Sequence, residues 1–544
     1  MEIGQVEKME SFHPILVISL LLMALTTFPP TLGEVFTSMA DMEQMVVTEK
    51  QMLEVLKDYI DAEEEKLQNI KSFLSDVDGV LGGVTASEDV GKYLGNPVNS
   101  YLMLKRFNVE WKNLEKTLEE DLSERLNNVF ETLRPFFPTA EDHEGAMDAL
   151  FRLQQTYNLH ARQLSQGVIP GVTKLKAIPL SMTDMFELGA YAYKTRTWEY
   201  AIQWFETAIE KMGDRDVVGK IEKSLLMDYL AFSLFQSGKV RKALELTETL
   251  AALKPDDGRI ASNLEYYRDE VSKIEVEETA AAAEEASEED LDERETTLKS
   301  YRKLCRGESR NLTRREQRHM KCWYRNKHHP LFLIKPQKVE RVWVKPEILI
   351  FHDIIREDQS EWIKKTAHPK LRRATIQDPI TGKLRYADYR VSKSTWLDPN
   401  IYPEVAELKR RAEAATGLNL TSAEQLQIAN YGLGGHYEPH FDHARPEEDA
   451  FTALGMGNRI ATLLFYIGTP EAGGATVFTN AHATVFPVRN AAVFWYNLKR
   501  NGDGNVWTRH AACPVLAGQK WVSNWWIHEY GQFQRRKCDL NHNW

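Results

Sequence analysis

The sequence predicts a multidomain α+β chain: an N-terminal all-α assembly domain, an α-helical tetratricopeptide-like unit, and a C-terminal double-stranded β-helix, or jelly roll. Three observations carry this. At 544 residues the chain exceeds what one hydrophobic core serves, since domains cluster at about 100–200 residues, and roughly three or four are expected. Its first half reads with helical periods, and its last third as short apolar runs broken by Gly, Pro and Asn, which is strand punctuation. Hydrophobic residues at 43% and charged residues at 27% are ordinary globular values, which sets aside wholesale disorder and a polytopic membrane protein. The formal net charge of -11 argues against a nucleic-acid binder, which needs a basic face to displace counterions from phosphates.

At the N-terminus, Ile15 to Leu25 form an apolar run of about eleven residues, where a spanning helix needs about twenty. Pro29, Pro30, Thr31 and Gly33 follow it, so residues 1–33 read as a signal peptide cut near Gly33. Lys8 is the one cation before the run, against Glu2, Glu7 and Glu10, which leaves initiation at Met9 open. A buried N-terminal helix is the competing reading. No later stretch reaches spanning length, so no transmembrane segment is expected. The final Asn541-His542-Asn543-Trp544 is not a KDEL-type signal, and a lumenal chain of this kind needs a resident partner.

Residues 34–175 read as the helical assembly, or dimerisation, domain. Val46, Leu53, Ile60, Leu67 and Leu74 fall seven apart, with Met42, Leu56, Ile70 and Val77 on a companion seam, a coiled-coil pattern. Glu49 and Glu63 interrupt that second seam, so an amphipathic helix inside a bundle competes with a self-associating coil. From Ser181 two helix-turn-helix patterns follow, with Pro255 after the second pair, as in tetratricopeptide repeats. The unit, 181–272, is rich in aromatics: Tyr191, Tyr193, Tyr200, Tyr229, Phe232, Phe235, Tyr266 and Tyr267. Each alone reads as core at helical spacing. Together they could line a groove for an extended polyproline ligand, to which aromatic walls are suited. Residues 273–300, with the run EVEETAAAAEEASEEDLDERE, are an acidic linker.

Residues 301–544 hold a pre-catalytic segment and the β-rich domain, with buttressing helices expected near Ser360–Thr366 and Tyr402–Ala415. Asn311-Leu312-Thr313 and Asn419-Leu420-Thr421 are sequons, a pattern common by chance. Four cysteines, Cys305, Cys322, Cys513 and Cys538, allow three connectivities, and an even count without a CxxC pair favours disulfides over metal ligation. Adjacent pairing, Cys305 with Cys322 and Cys513 with Cys538, would close two short loops. Within the β texture stands His440-Phe441-Asp442. Residues i and i+2 of a strand share a face, so imidazole and carboxylate reach one metal while Phe441 points away. Lone HxD pairs are frequent accidents. His510, however, supplies a third ligand after enough chain for several strands, and two His with one carboxylate leave open the coordination positions used by non-haem iron(II) oxygenases. Lys520, ten positions on, offers the cation that the far carboxylate of a chelating 2-oxo acid needs.

At this point a resemblance becomes specific. QIANYGLGGHYEPHFDHA, GNRIATLLFYI, EAGGATVF, AAVFWYNL, TRHAACPVLAGQKWVSNWWIHE and RRKC resemble the catalytic domain of collagen prolyl 4-hydroxylase alpha subunits. FTSMADMEQMVVTEKQMLEVLKDYI, MFELGAYAY and LRRATIQDPITGKLRYADYRVSKSTWL are similar to that family's assembly, peptide-binding and pre-catalytic segments. The resemblance implies Fe(II) on His440, Asp442 and His510, with 2-oxoglutarate on the iron and its distal carboxylate on Lys520. It further implies 2-oxoglutarate contacts at Tyr431 and Thr476, and places Tyr437, Arg459, Trp526 and His528 near substrate or cosubstrate. His528 joins the catalytic set on resemblance alone. The peptide-contacting candidates of the repeat unit are Tyr191, Tyr193, Tyr229, Phe232 and Tyr266. His436 and His443 are left as surface or supporting histidines. Trp525 stands where this family has lysine.

The implied reaction is hydroxylation at C4 of proline in X-Pro-Gly sequences. It consumes O2, decarboxylates 2-oxoglutarate to succinate and CO2, and uses L-ascorbate to rescue oxidised iron. The implied setting is the endoplasmic reticulum lumen, with procollagen or a proline-rich peptide as substrate and protein disulfide isomerase as beta subunit of an α2β2 tetramer. Two other readings compete: a different lumenal 2-oxoglutarate oxygenase, such as a lysyl hydroxylase or a prolyl hydroxylase of non-collagen targets, and a catalytically idle repeat scaffold.

Overall fold

The computed structural model describes residues 35–540 apart from 85–86, 174–175, 282–292, 327–328, 378–383, 447, 449–450 and 452–454. The expected signal peptide, the centre of the acidic linker and the last four residues therefore lie outside the described residues. Two compact units result, one from residue 41 to 139, the other from residues 34–40 together with 140 onward.

The first unit is helical. Its long helix α1 (Met39–Leu81) is followed by Ser87–Leu94, Pro97–Lys105, Trp111–Glu119 and Glu124–Leu133. Phe73 meets the Trp111 ring edge-on at 4.9 Å, and Lys66 donates to the carbonyls of Leu118 and Glu120. These contacts do not consume the heptad seam. Val46, Leu53, Leu56, Ile60, Leu67 and Leu74 all remain exposed, while Met42, Ile70 and Val77 of the companion seam are half-buried.

In the second unit, α2 (Ala140–Tyr157) precedes two helix pairs, α3 (Met182–Lys194) with α4 (Trp198–Met212) and α5 (Lys223–Gln236) with α6 (Val240–Leu253), and then α7 (Gly258–Ala281). A Ser181/Asp184 capping box starts α3, satisfying two otherwise orphaned donors. Close packing of α3 on α4 requires Gly189, where a Cβ would lie 2.6 Å from the Phe205 ring. The Trp204 indole donates to Gln154 at 3.0 Å, tying the repeats to α2. Helix α2 continues the link into the β-rich half: Arg152 donates to the Gly434 carbonyl and Tyr157 to that of Pro514.

Helix α8 (Glu293–Cys305) leads into the sheets. The strands used below are β1 (Cys322–Arg325), β2 (Gln337–Trp343), β3 (Ile348–His352), β4 (Arg372–Arg373), β5 (Lys393–Leu397), β6 (Leu426–Tyr431), β7 (Tyr437–His440), β8 (Arg459–Gly468), β9 (Thr476–Phe478), β10 (Ala483–Val485), β11 (Ala492–Tyr496), β12 (His510–Ala512) and β13 (Lys520–His528). One sheet has the order β1-β2-β3-β11-β8-β13-β6-β5-β4, and the other β7-β12-β9-β10. Every pairing in both sheets is antiparallel, which gives the expected jelly roll its two walls. Tyr466, Phe478, Val493, Trp495 and Val522 fill the space between them. On the outer face of the larger sheet, α9 (Glu357–Ala367) and α10 (Pro403–Thr416) bury Ile363, Val405 and Leu408 against Leu463 and Phe465, as the sequence leads one to expect.

The cysteines pair differently from the adjacent scheme. Helix α8 lays Tyr301, Leu304 and Cys305 on Val477, Ala511 and Cys513 behind the small sheet, bringing the two cysteines to a Cα separation of 5.5 Å, and they form the disulfide. Cys322 and Cys538 are exposed and free. Packing of a helix face, which loop length does not encode, decides the partner.

Candidate active site

Strands β7 and β12 place His440 directly opposite His510. β7 ends at His440, so Asp442 stands in the bend beyond the strand rather than on it; the bend still delivers it to the same point. One ligand atom from each of the three residues falls within 4.8 Å of the others. His440 Nε2 lies 3.8 Å from Asp442 Oδ1, and His510 Nε2 lies 3.4 Å from Oδ2. Both imidazoles are oriented from behind: Nδ1 of His440 donates to the Glu438 carbonyl at 2.8 Å and Nδ1 of His510 to that of Thr508 at 3.0 Å. Such bonds fix the tautomer that leaves Nε2 as a lone-pair donor.

Electrostatics favour the same state. Burial, with the neighbouring His510 second, pushes the His440 pKa down to about 3, so its ring is neutral. Burial opposes ionisation of Asp442, yet His510, His440, Arg459 and a Thr462 hydrogen bond outweigh it and hold the carboxyl at about 2. A relay unseen in the sequence orients this carboxylate. The Trp495 indole donates to Asn497, Asn497 donates to the Thr462 hydroxyl, and Thr462 donates to Asp442 Oδ2 at 2.6 Å. All four are buried.

Lys520 opens β13 in the facing sheet, after an intervening short strand, Val515–Ala517. Its side chain is fully buried and its ammonium has no hydrogen-bond partner. The Nζ lies 4.8 Å from the Tyr431 ring centre, Tyr431 being its register partner on β6. Burial alone lowers the lysine pKa to about 7. An orphaned cation between the sheets is costly unless an anion arrives. Thr476 stands on the smaller sheet, where its hydroxyl accepts from Tyr466 of the larger one at 2.8 Å. Tyr466 is a further buried polar group missed in the sequence, where it reads as one more apolar strand residue.

Outside the triad opens a cleft of about 1450 Å³ lined by His440 and Asp442 together with Tyr437, Arg459 and Trp526. Tyr437 stacks on His440 at 3.6 Å, with the Arg390 guanidinium 4.8 Å from its ring centre. Arg459 lies between the Phe451 and Trp526 rings and pairs with Glu424 at 2.6 Å. His528 is held in that same ionic cluster, between the Gly457 carbonyl and Glu424, and not among the three ligands. His436 and His443, surface or supporting histidines by sequence, are both buried, which sets aside the surface alternative. Trp525, in place of a lysine, is core, edge-on to Phe465.

The repeat-unit candidates fall into separate groups of touching rings. Tyr193, Tyr229 and Phe232 come together with Trp198, unnoticed in the sequence, at ring separations of 4.8–6.0 Å. Tyr191 instead stacks on Phe151, and Tyr266 belongs to a separate group with Phe235 and Tyr267.

Comparisons with known proteins agree with this geometry. Three family models match: prolyl 4-hydroxylase alpha-subunit, N-terminal region, over residues 38–171; prolyl 4-hydroxylase peptide-substrate-binding domain, over 182–273; and the 2OG-Fe(II) oxygenase superfamily, over 426–528. The prolyl 4-hydroxylase subunit alpha-1 of Bos taurus is 44% identical over 521 residues, and that of Homo sapiens 43% over 520, each covering 93% of this chain and 96% of the relative. That of Gallus gallus is 43% identical, covering 93% and 99%.

Proposed function

This chain belongs to the prolyl 4-hydroxylase alpha-subunit family, and from that premise we propose that it is a catalytic alpha subunit of procollagen-proline 4-dioxygenase, hydroxylating C4 of prolines in X-Pro-Gly sequences. The observation that carries the reading is the buried, unpartnered ammonium of Lys520 between the two walls that also present His440, Asp442 and His510. An idle scaffold has no use for such a cation.

His440, Asp442 and His510 are the residues to hold Fe(II). Two neutral imidazoles and one carboxylate leave about one net positive charge for a dianionic cosubstrate. Once bound, Fe(II) with 2-oxoglutarate and O2 supplies the oxidation, which yields succinate, CO2 and hydroxylated proline. The chain supplies position and dryness. Lys520 pairs with the distal carboxylate, assisted by Tyr431 and the Thr476 hydroxyl. Tyr437, Arg459 and Trp526 hold the peptide in the cleft, and His528 steadies Arg459 through Glu424. Tyr191, Tyr193, Tyr229, Phe232 and Tyr266 are assigned to the peptide's flanking proline-rich length.

The division of labour follows: residues 1–33 signal peptide, 34–175 assembly, 181–272 peptide binding, 273–300 linker, and 301–544 oxygenase with its preceding segment. L-Ascorbate restores iron oxidised without productive turnover. The setting is the endoplasmic reticulum lumen, where protein disulfide isomerase is the beta subunit of an α2β2 tetramer. Asn311, exposed in its sequon, is the better placed glycan acceptor. Among the described residues, no helix is long and apolar enough to cross a membrane.

The test is succinate release by the chain coexpressed with the isomerase. A (Pro-Pro-Gly)-type peptide is expected to stimulate release, and His440→Ala, Asp442→Ala or His510→Ala to abolish it while assembly persists. Normal turnover by any of the three at saturating iron would remove the metal assignment.

A further inference from the structure

Residues 35–40, which lead into and open the long helix α1, are seated in the oxygenase half of the chain. Val35–Thr37 make a 3-10 turn. Thr37 and Ser38 are fully buried, and Ala40 joins the apolar cluster under the larger sheet. The backbone is held as a strand would be, with Leu433 N–H donating to the Phe36 carbonyl and Gly432 N–H to that of Thr37, both at 3.0 Å. The slot has this segment's shape. A Cβ on Gly432 would lie 2.1 Å from the Phe36 carbonyl oxygen, and one on Gly145 of α2 would lie 2.3 Å from the Phe36 ring.

What the segment touches matters more than its burial. Asn430, fully buried on β6, accepts at Oδ1 from the Ser38 hydroxyl at 2.8 Å and from the Ala40 N–H at 3.3 Å. The other end of the same amide, Nδ2, reaches the Lys520 carbonyl at 3.4 Å. Next along β6 is Tyr431, the register partner of Lys520. The Lys520 ammonium has no polar anchor of its own, so its position is set by the backbone at residue 520. Two donors from the segment hold the Asn430 amide in the one orientation that supports that backbone. Without them a buried carbonyl oxygen is left unpaired, and the amide is free to turn.

We propose that residues 35–40 are a strap that completes the 2-oxoglutarate subsite from behind, with Ser38 and Asn430 as positioning residues for Lys520. The proposal rests on the reading of Lys520 as the cosubstrate anchor. It assigns to the N-terminal segment a part in cosubstrate binding, beside its place at the head of α1.

The test uses the full chain with the isomerase, the signal sequence being fused directly to Asp41 so that the strap is absent, alongside Ser38→Ala and Lys520→Ala. Loss of one such hydrogen bond corresponds to about five-fold in binding. The strapless chain is expected to raise the 2-oxoglutarate KM about five-fold or more, with kcat and the peptide KM within about two-fold, and Ser38→Ala to move in the same direction by less. Hydrogen exchange reads docking independently of turnover: the Gly432 and Leu433 amides, protected in the intact chain, exchange in the strapless one. An unchanged 2-oxoglutarate KM, or a fall in kcat with that KM unchanged, overturns the proposal. If the strapless chain does not accumulate, Ser38→Ala decides by the same criterion. A Lys520→Ala chain with a normal cosubstrate requirement would remove the anchor itself, whereas a raised requirement there with none in the strap variants removes the strap alone.

Discussion

Lys520, buried with no anion beside it, binds its proton less tightly than a free lysine does. Its folded-state pKa of about 7 lies below the roughly 10.4 of a free lysine. Between those values the unfolded chain carries the proton and the folded chain does not, so this residue's contribution to stability rises as pH climbs above about 7, and the buried charge costs most below it. A carboxylate reverses the preference and draws the proton in. Cosubstrate binding above pH 7 is therefore expected to take up a proton, and calorimetry in two buffers of different ionisation enthalpy, anaerobic with Fe(II), reads it directly. Zero uptake at pH 8 would contradict the anchor. Lys520→Ala is expected to raise the 2-oxoglutarate requirement by about 100-fold or more, as for other buried charges deprived of a partner. Thr462→Val tests the relay behind Asp442: iron retention against a chelator should weaken by about 10- to 100-fold, and unchanged retention would make the relay mere packing. That His440, Asp442 and His510 would meet was legible because ligation demands particular side chains at spacings the chain displays. Thr462, Asn497 and Tyr466 were not, because their partners meet only through sheet register.

At the scale of elements, period told type and not surroundings. The helical repeats and strand runs were readable, and so were the buttressing helices, because burial of one face leaves a trace every second or every third to fourth residue. Which aromatics share a neighbourhood was not readable, since Tyr193 on α3 meets Tyr229 and Phe232 on α5 only after the repeats stack. The disulfide teaches the same point, being chosen by the face α8 presents to the small sheet. For the aromatic group, Tyr229→Ala in the full chain is expected to raise the KM for long proline-rich peptides by about three- to ten-fold, the range an aromatic contact spans. Turnover at saturating peptide and the KM of a single-triplet substrate should stay unchanged. Equal effects on short and long peptides would assign these rings to the core.

For the whole molecule, the exposed heptad seam of α1 and the catalytic unit make separable demands. A seam of Leu53, Ile60 and Leu67 left in water is what a second copy would cover in a coiled coil. Leu53→Glu with Ile60→Glu is expected to halve the mass of the complex by light scattering and leave hydroxylation per catalytic site intact; a tetramer of undiminished mass would place the contact elsewhere. The central claim is chemical and is tested most directly on the product. The coexpressed complex, given Fe(II), 2-oxoglutarate, O2 and ascorbate, should convert a (Pro-Pro-Gly)-type peptide to one bearing 4-hydroxyproline, one per succinate released above the peptide-free background, as read by mass spectrometry with amino-acid analysis. Asp442→Ala should give neither product. Succinate without 4-hydroxyproline, or hydroxylation at a residue other than proline, would contradict the account.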